Sequence, residues 1–261
     1  MGQMILITGA SSGIGYELAK VCARNGHDLL LVARREERLK ELKEELEAAH
    51  GMQVWTYRAD LTDAVARQQL YDFTCEQGFD IYALVNNAGF GDLKLFTAAD
   101  WAKLNDMLQL NVVALTHLSH LFLPGMVQRG SGRLLNVAST AAFLAGPYMA
   151  VYYATKAYVL SLTGAIASEL EATGVTATTL CPGPTQSEFQ ITSEMSEAKF
   201  IQGNMAKLPT SAEVAEYGYR MMEQGQRVAV HGLINKVLVL STRFFPRKAL
   251  ANTVKGMQAP A

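Results

Sequence analysis

Residues 148 to 157, Y-M-A-V-Y-Y-A-T-K-A, place three tyrosines and a lysine within nine positions. A phenol titrates near pH ~10 when unperturbed, too high for efficient proton transfer near neutrality. An ammonium beside it favours the phenolate and lowers that value. Such a pair is a candidate proton donor and acceptor. Helical spacing leaves the choice of phenol open, because Tyr152 at i−4 and Tyr153 at i−3 both fall near Lys156. Aromatic residues at this spacing more often belong to a core or an interface, so the stretch by itself favours packing.

A second constellation stands at the other end of the chain. T-G-A-S-S-G-I-G, residues 8 to 15, follows the run M-I-L-I-T and leads into G-Y-E-L-A-K-V-C-A-R. Gly9, Gly13 and Gly15 have the spacing G-x-x-x-G-x-G. Glycines there allow a sharp turn and let backbone amides approach a pyrophosphate, which then sits on the positive end of the helix. Three glycines alone are a weak signal. A strand before, a helix after and a second strand about 20 residues on make it strong. That second strand ends L-V-A-R-R, with Ala33 where an acidic residue would bond the ribose hydroxyls of NAD. Arg34 and Arg35 follow, and a guanidinium suits a 2′-phosphate. Ser11 adds a hydroxyl in the same turn. NADP(H) is the expected cofactor; the competing reading makes the two arginines the start of a solvated helix.

Both constellations need a scaffold, and the hydropathy pattern supplies one. Strand-like runs occur at 4–8, 28–33, 53–59, 81–85, 132–138 and 175–180, with a weaker seventh at 227–230. Several are apolar at nearly every position, as expected of strands covered on both faces. Amphipathic helical patterns lie between them, including one in which Leu39, Leu42 and Leu46 form a single stripe. Repeated strand–helix alternation predicts an α/β, doubly wound, mainly parallel Rossmann sheet of about seven strands. The 261 residues are expected to form one domain, with a substrate loop at about 184–210 and a C-terminal segment from about 231.

Composition narrows the partners. A net charge of -1 at pH 7 gives no global field to attract nucleic acid or an anionic membrane. Cys22, Cys75 and Cys181 are odd in number and lack any C-x-x-C spacing, so neither a zinc ribbon nor a disulfide framework is expected. His117, His120 and His231 show no metal-ligand spacing, and no metal is expected. The N-terminus lacks the pattern of a signal peptide, which makes a reduced, cytoplasmic protein the default.

Further motifs follow the glycine turn in order. They are D-L-T at 60–62, N-N-A-G at 86–89, the Asn of L-N-V at 111 and Ser139 in N-V-A-S-T. Tyr152 and Lys156 in Y-x-x-x-K come next, then P-G at 182–183. On these residues the chain resembles the short-chain dehydrogenases/reductases over residues 4 to about 188. The resemblance selects Tyr152, four residues before the lysine, as general acid and base. It implies that Ser139 holds the carbonyl oxygen, that Lys156 lowers the phenol pKa and holds the nicotinamide ribose, and that Asn111 holds a relay water. It implies cofactor contacts at Gly9, Ser11, Ser12, Gly13, Ile14, Gly15, Arg34 and Arg35. Further contacts are implied at Asp60, Leu61, Asn87, Ala88, Gly89, Tyr152, Lys156, Pro182, Gly183 and Thr185. Thr185 and Ser187 depart from the family's usual P-G-x-V-x-T. Asp60 could instead cap the helix that follows it.

Substrate contacts are expected from Ser139, Phe143, Tyr148 and Phe189. Phe189, Ile191, Met195, Phe200, Ile201 and Met205 in the loop argue for a small hydrophobic carbonyl or alcohol. The expected reaction is NADPH-dependent carbonyl reduction, or its reverse. A 3-oxoacyl thioester or a hydroxysteroid is the alternative substrate, and a non-catalytic NADP(H) sensor is the alternative class. The C-terminal segment is expected to cover the pocket or form a dimer seam rather than a peripheral membrane foot. A homodimer through the helices at 101–128 and 150–171 is expected, with a tetramer as the other arrangement.

Overall fold

The computed structural model describes residues 3–189, 193 and 208–259. Its strands are β1 (Met4–Thr8), β2 (Asp28–Ala33), β3 (Val54–Arg58), β4 (Ile81–Asn86), β5 (Gly132–Val137), β6 (Val175–Cys181) and β7 (Val228–Val230). They form one seven-stranded sheet in the order β3-β2-β1-β4-β5-β6-β7, and every pairing is parallel. This is the doubly wound α/β sheet that the alternation predicts.

Each strand sends alternate side chains to opposite faces, so two core layers form. On one face Ile5, Ile7, Leu29 and Leu31 meet Leu18 and Cys22 of α1 (Gly13–Arg24), the Leu39–Leu42–Leu46 stripe of α2 (Glu36–His50) and Val214 of a later helix. On the other, Leu6, Leu30, Leu84 and Leu134 meet Leu70 of α3 (Ala64–Glu76), then Leu118 and Phe122 of a helix beyond β4. Each fully buried leucine of this kind contributes about 1.5–3 kcal/mol from removing its apolar surface from water. The cap of α3 is Asp63, whose carboxylate accepts from Val65 N. Asp60 instead accepts from Thr62 N at 3.0 Å and Thr62 Oγ1 at 2.8 Å, so the capping role falls to its neighbour.

One feature was not foreseen. The helix after β4 begins as α4 (Trp101–Leu108), widens into a π-turn over Gln109–Ala114 and continues as α5 (Leu115–Arg129). By length and composition this run could cross a membrane. Leu118, Phe122 and Met126 instead enter the sheet's core layer. The π-turn carries the buried Asn111.

α6 (Ala150–Glu169) carries the Y-x-x-x-K residues, and α7 (Ser211–Glu223) is closed by a reciprocal capping box between Thr210 and Glu213. Beyond β7, α8 (Leu233–Ser241) leaves Leu233, Ile234 and Val237 exposed, whereas α9 (Arg247–Gln258) buries Val254 and Gln258.

Candidate active site

Parallel strands end together, so the loops after them converge on one edge of the sheet. Gly9 follows β1, Arg34 and Arg35 follow β2, Asp60 lies just beyond β3, and Asn87–Gly89 follow β4. Ser139 lies just past β5, and Pro182 and Gly183 follow β6. Along this edge runs one cavity of about 450 Å³, lined from Arg34 and Arg35 at one end to Met149, Tyr152 and Phe189 at the other.

At the glycine end the backbone is closely approached. Gly9 has φ +68, and a Cβ there would lie 2.9 Å from Ala88 Cα. A Cβ on Gly15 would overlap the Gly9 carbonyl and the Asn87 side chain. Asn87 explains that proximity: its Nδ2 donates to Thr8 O at 3.0 Å and Gly9 O at 3.2 Å. The Asn87 amide is thus spent on holding the turn, while Thr8 Oγ1 accepts from Asn87 N and Ala88 N. Gly15 keeps the turn against the helix and lies behind the cavity wall, whereas Gly9, Ser11, Ser12, Gly13 and Ile14 line it.

Arg35 folds over this turn. Its Nε donates to Ser11 Oγ at 3.2 Å, one Nη to Ser12 Oγ at 2.7 Å and the other to Glu188 at 2.7 Å. Arg34 faces Asp60 at 3.8 Å across exposed surface, where an ion pair contributes little. Two guanidinium groups, two hydroxyls and a helix N-terminus thus surround a turn whose glycines pack closely on Ala88 and Asn87. This donor set fits a dinucleotide bearing an additional phosphate.

At the opposite end Tyr152 is buried, and the Ser139 hydroxyl bonds its phenol. Burial raises the phenol pKa, outweighing the lowering by Ser139. The expected depression by Lys156 is not found in the chain by itself. Lys156 Nζ stands 5.7 Å from the Tyr152 ring centre, donates to Val137 O at 2.8 Å and is drawn down to about 8 by burial. Ser139 Oγ accepts from Ala141 N at 3.1 Å and donates weakly to Pro182 O at 3.4 Å, which ties the serine to the P-G turn.

Asn111 lies behind the cavity wall rather than in it. Its Nδ2 donates to Phe90 O at 2.9 Å and Thr155 Oγ1 at 3.2 Å, and its Oδ1 accepts from Phe90 N at 3.1 Å. Gly89 permits this packing, since a Cβ there would lie 2.9 Å from Asn111 Oδ1 and 3.5 Å from Lys156 Nζ. Asp60, Leu61, Ala88, Gly89, Pro182, Gly183 and Thr185 line the cavity. Thr185 Oγ1 donates to Gly183 O at 2.9 Å.

Two expected substrate residues, Phe143 and Tyr148, are not among those lining the cavity. Phe143 packs with Leu115, Ala142, Val159 and Val230 in a separate apolar cluster, drawn there by the short helix it ends. Tyr148 does not line the cavity but packs against the cluster of Leu93, Met107, Met149 and Tyr152 beside it, with φ +68 and its carbonyl accepting from Lys94 N at 2.8 Å. Met149, Tyr153 and Gln258 line the cavity in their place. Ile191, Met195, Phe200, Ile201 and Met205 lie outside the described residues.

Comparison with known proteins places this geometry. Residues 3–198 match the family model described as short chain dehydrogenase. Sulfoacetaldehyde reductase 2 of Chromohalobacter salexigens is 36% identical over 73% of this chain and 76% of its own. The structure of a short-chain dehydrogenase from Sphingobium yanoikuyae in complex with NADPH superposes with a TM-score of 0.82, at 29% identity over 98% of each chain. The bulky-bulky ketone specific alcohol dehydrogenase of Comamonas testosteroni gives 0.78, at 25% identity over 98% of this chain and 96% of that one. Sequence and fold agree: the chain belongs to the short-chain dehydrogenase/reductase family, a family of oxidoreductases.

Proposed function

We propose that this protein is an NADPH-dependent carbonyl reductase, equivalently an NADP-linked alcohol dehydrogenase, for a hydrophobic substrate. The observation that carries the reading is a single cavity with Arg34, Arg35 and the glycine turn at one end and Ser139, Tyr152 and Lys156 at the other. The cofactor is NADP(H), in keeping with its NADPH-bound relative. When bound it supplies the hydride.

The chain's own groups supply position and protons. Ser139, held only weakly by Pro182, turns its hydroxyl to the substrate carbonyl oxygen and sets it beside Tyr152. Burial keeps the Tyr152 phenol protonated, the form needed to neutralise an alkoxide during reduction. Lys156, fixed on Val137 O, stands 5.7 Å from the Tyr152 ring centre as the nearest cation in the lining. Asn111 pins the Phe90 backbone and the π-turn beside Lys156. Among the described residues lining the substrate end, Lys156 is the one cation, and Phe90, Leu110, Met149 and Phe189 supply apolar surface. That lining favours a hydrophobic ketone or aldehyde over an anionic one.

The test is a titration with NADPH and NADH, followed by reduced-cofactor emission, on wild type and on Arg34→Ala and Arg35→Ala. NADPH should bind at least about tenfold tighter than NADH, since only NADPH carries the charge-assisted phosphate contacts. The two substitutions should remove most of that preference. Equal affinity for both cofactors would refute the phosphate assignment.

A further inference from the structure

The mechanism leaves two polar groups at the substrate end unused, and both belong to one pair. Gln258, the last residue of α9, is 7% exposed and lines the cavity. Its Nε2 donates to Tyr153 Oη at 2.7 Å and lies 3.5 Å from Met149 Sδ. Its Oε1 is sealed from solvent and has no hydrogen-bond partner. A buried carbonyl left unpaired costs free energy that the fold recovers only if something donates to it. In the Tyr153 bond the phenol oxygen is the acceptor, so its own proton remains available to a further acceptor. Burial pushes that phenol up to about 12, which keeps the proton in place near neutrality.

The surroundings hold this pair in position. Gly146 leaves the space that the Tyr153 ring fills, for a Cβ there would overlap the ring. The Tyr152 and Tyr153 rings are 6.1 Å apart, so the pair faces the same chamber as the reacting phenol. Phe189 packs on Tyr152 with ring centres 5.4 Å apart and adds apolar surface to the same chamber.

We infer that Gln258 and Tyr153 form a hydroxyl-recognising subsite, so that the substrate is a hydrophobic carbonyl compound with an alcohol group remote from the reacting carbon. Once a small turn of the Gln258 amide opens Oε1 to the cavity, one hydroxyl satisfies both groups, donating to Gln258 Oε1 and accepting from the Tyr153 proton. The inference rests on the carbonyl-reductase reading for the position of the reacting end. It adds a second recognition point, carried by the C-terminal helix.

The test uses the NADP⁺-loaded protein, in which a ketone binds without being reduced. Calorimetry measures the affinity of a ladder of unbranched methyl ketones, of their counterparts with a hydroxyl at the far end, and of the corresponding methyl ethers. At one chain length the hydroxylated ketone should bind at least about tenfold tighter than its parent, with the ether well below it. The ratio of hydroxylated to parent affinity should fall below about twofold in Gln258→Met and drop markedly in Tyr153→Phe. A merely structural role for Gln258 would weaken both members of each pair alike and leave the ratio intact. A ratio that survives Gln258→Met, an ether that equals the alcohol, or hydroxylated probes that nowhere outbind their parents would each overturn the subsite. Oxidation of NADPH by the parent ketones is read separately, so the reductase proposal stands or falls on its own assay.

Discussion

Lys156 is buried at the cavity wall, and burial draws its ammonium down from 10.5 to about 8. Between those values the unfolded chain holds a proton that the folded chain has released, so stability rises with pH across that window. Below pH ~8 the lysine is charged in both states, and the folded protein bears the full cost of a buried ammonium. Lys156→Met removes this dependence. Denaturant unfolding from pH ~7 to ~10 should show wild type gaining on the variant by up to about 1.4 kcal/mol per pH unit above pH ~8. A constant difference would mean that the lysine titrates normally. The same helix shows what single residues disclose from sequence. The family's Y-x-x-x-K picks Tyr152 over Tyr153 as the proposed proton donor, but nothing in the pattern says that Tyr153 also lines the cavity. That depends on Gln258, 105 positions away, whose amide meets its hydroxyl.

The turn between β1 and α1 shows how elements create the site. Gly15 allows the helix to approach Gly9 and Asn87 more closely than any side chain would permit. Gly15→Ala should destabilise the fold by about 1–3 kcal/mol through overpacking and abolish NADPH binding, as read by melting temperature and cofactor emission. Gly256→Ala, where an added Cβ meets nothing within 4 Å, should instead stabilise α9 by up to about 1 kcal/mol. An alanine tolerated at Gly15 would remove the close approach from the account. Elements were the most legible scale: apolar runs and glycine punctuation placed the strands to within a residue or two, because two-sided burial leaves a strong signature. The π-turn at Gln109–Ala114 was hidden, since it interrupts an amphipathic helix without a glycine or proline of its own.

At the scale of the whole molecule, the C-terminal segment touches the site twice. Asn235 of α8 packs against Gly183, leaving no room for a side chain there, and α9 brings Gln258 to the chamber. Val254 holds α9 down from its buried face. Val254→Asp should release the helix, because an unpaired buried carboxylate is costly. KM for a hydrophobic ketone should rise at least about tenfold while NADPH affinity changes less than about twofold. Losing both together would show that α9 supports the whole sheet rather than the substrate chamber. Expectation for this segment reached only as far as a cover for the pocket or a dimer seam, since no short motif reports which distant surface a helix will meet.

In the proposed mechanism Tyr152 delivers the proton for NADPH-linked carbonyl reduction in this cavity. The most direct test of that role is a single-turnover measurement of NADPH oxidation with a saturating hydrophobic ketone, comparing wild type with Tyr152→Phe. The variant should still bind NADPH but reduce the ketone at least about 100-fold more slowly. A variant that turns over within a few-fold of wild type would contradict that role and move the proton donor to another group.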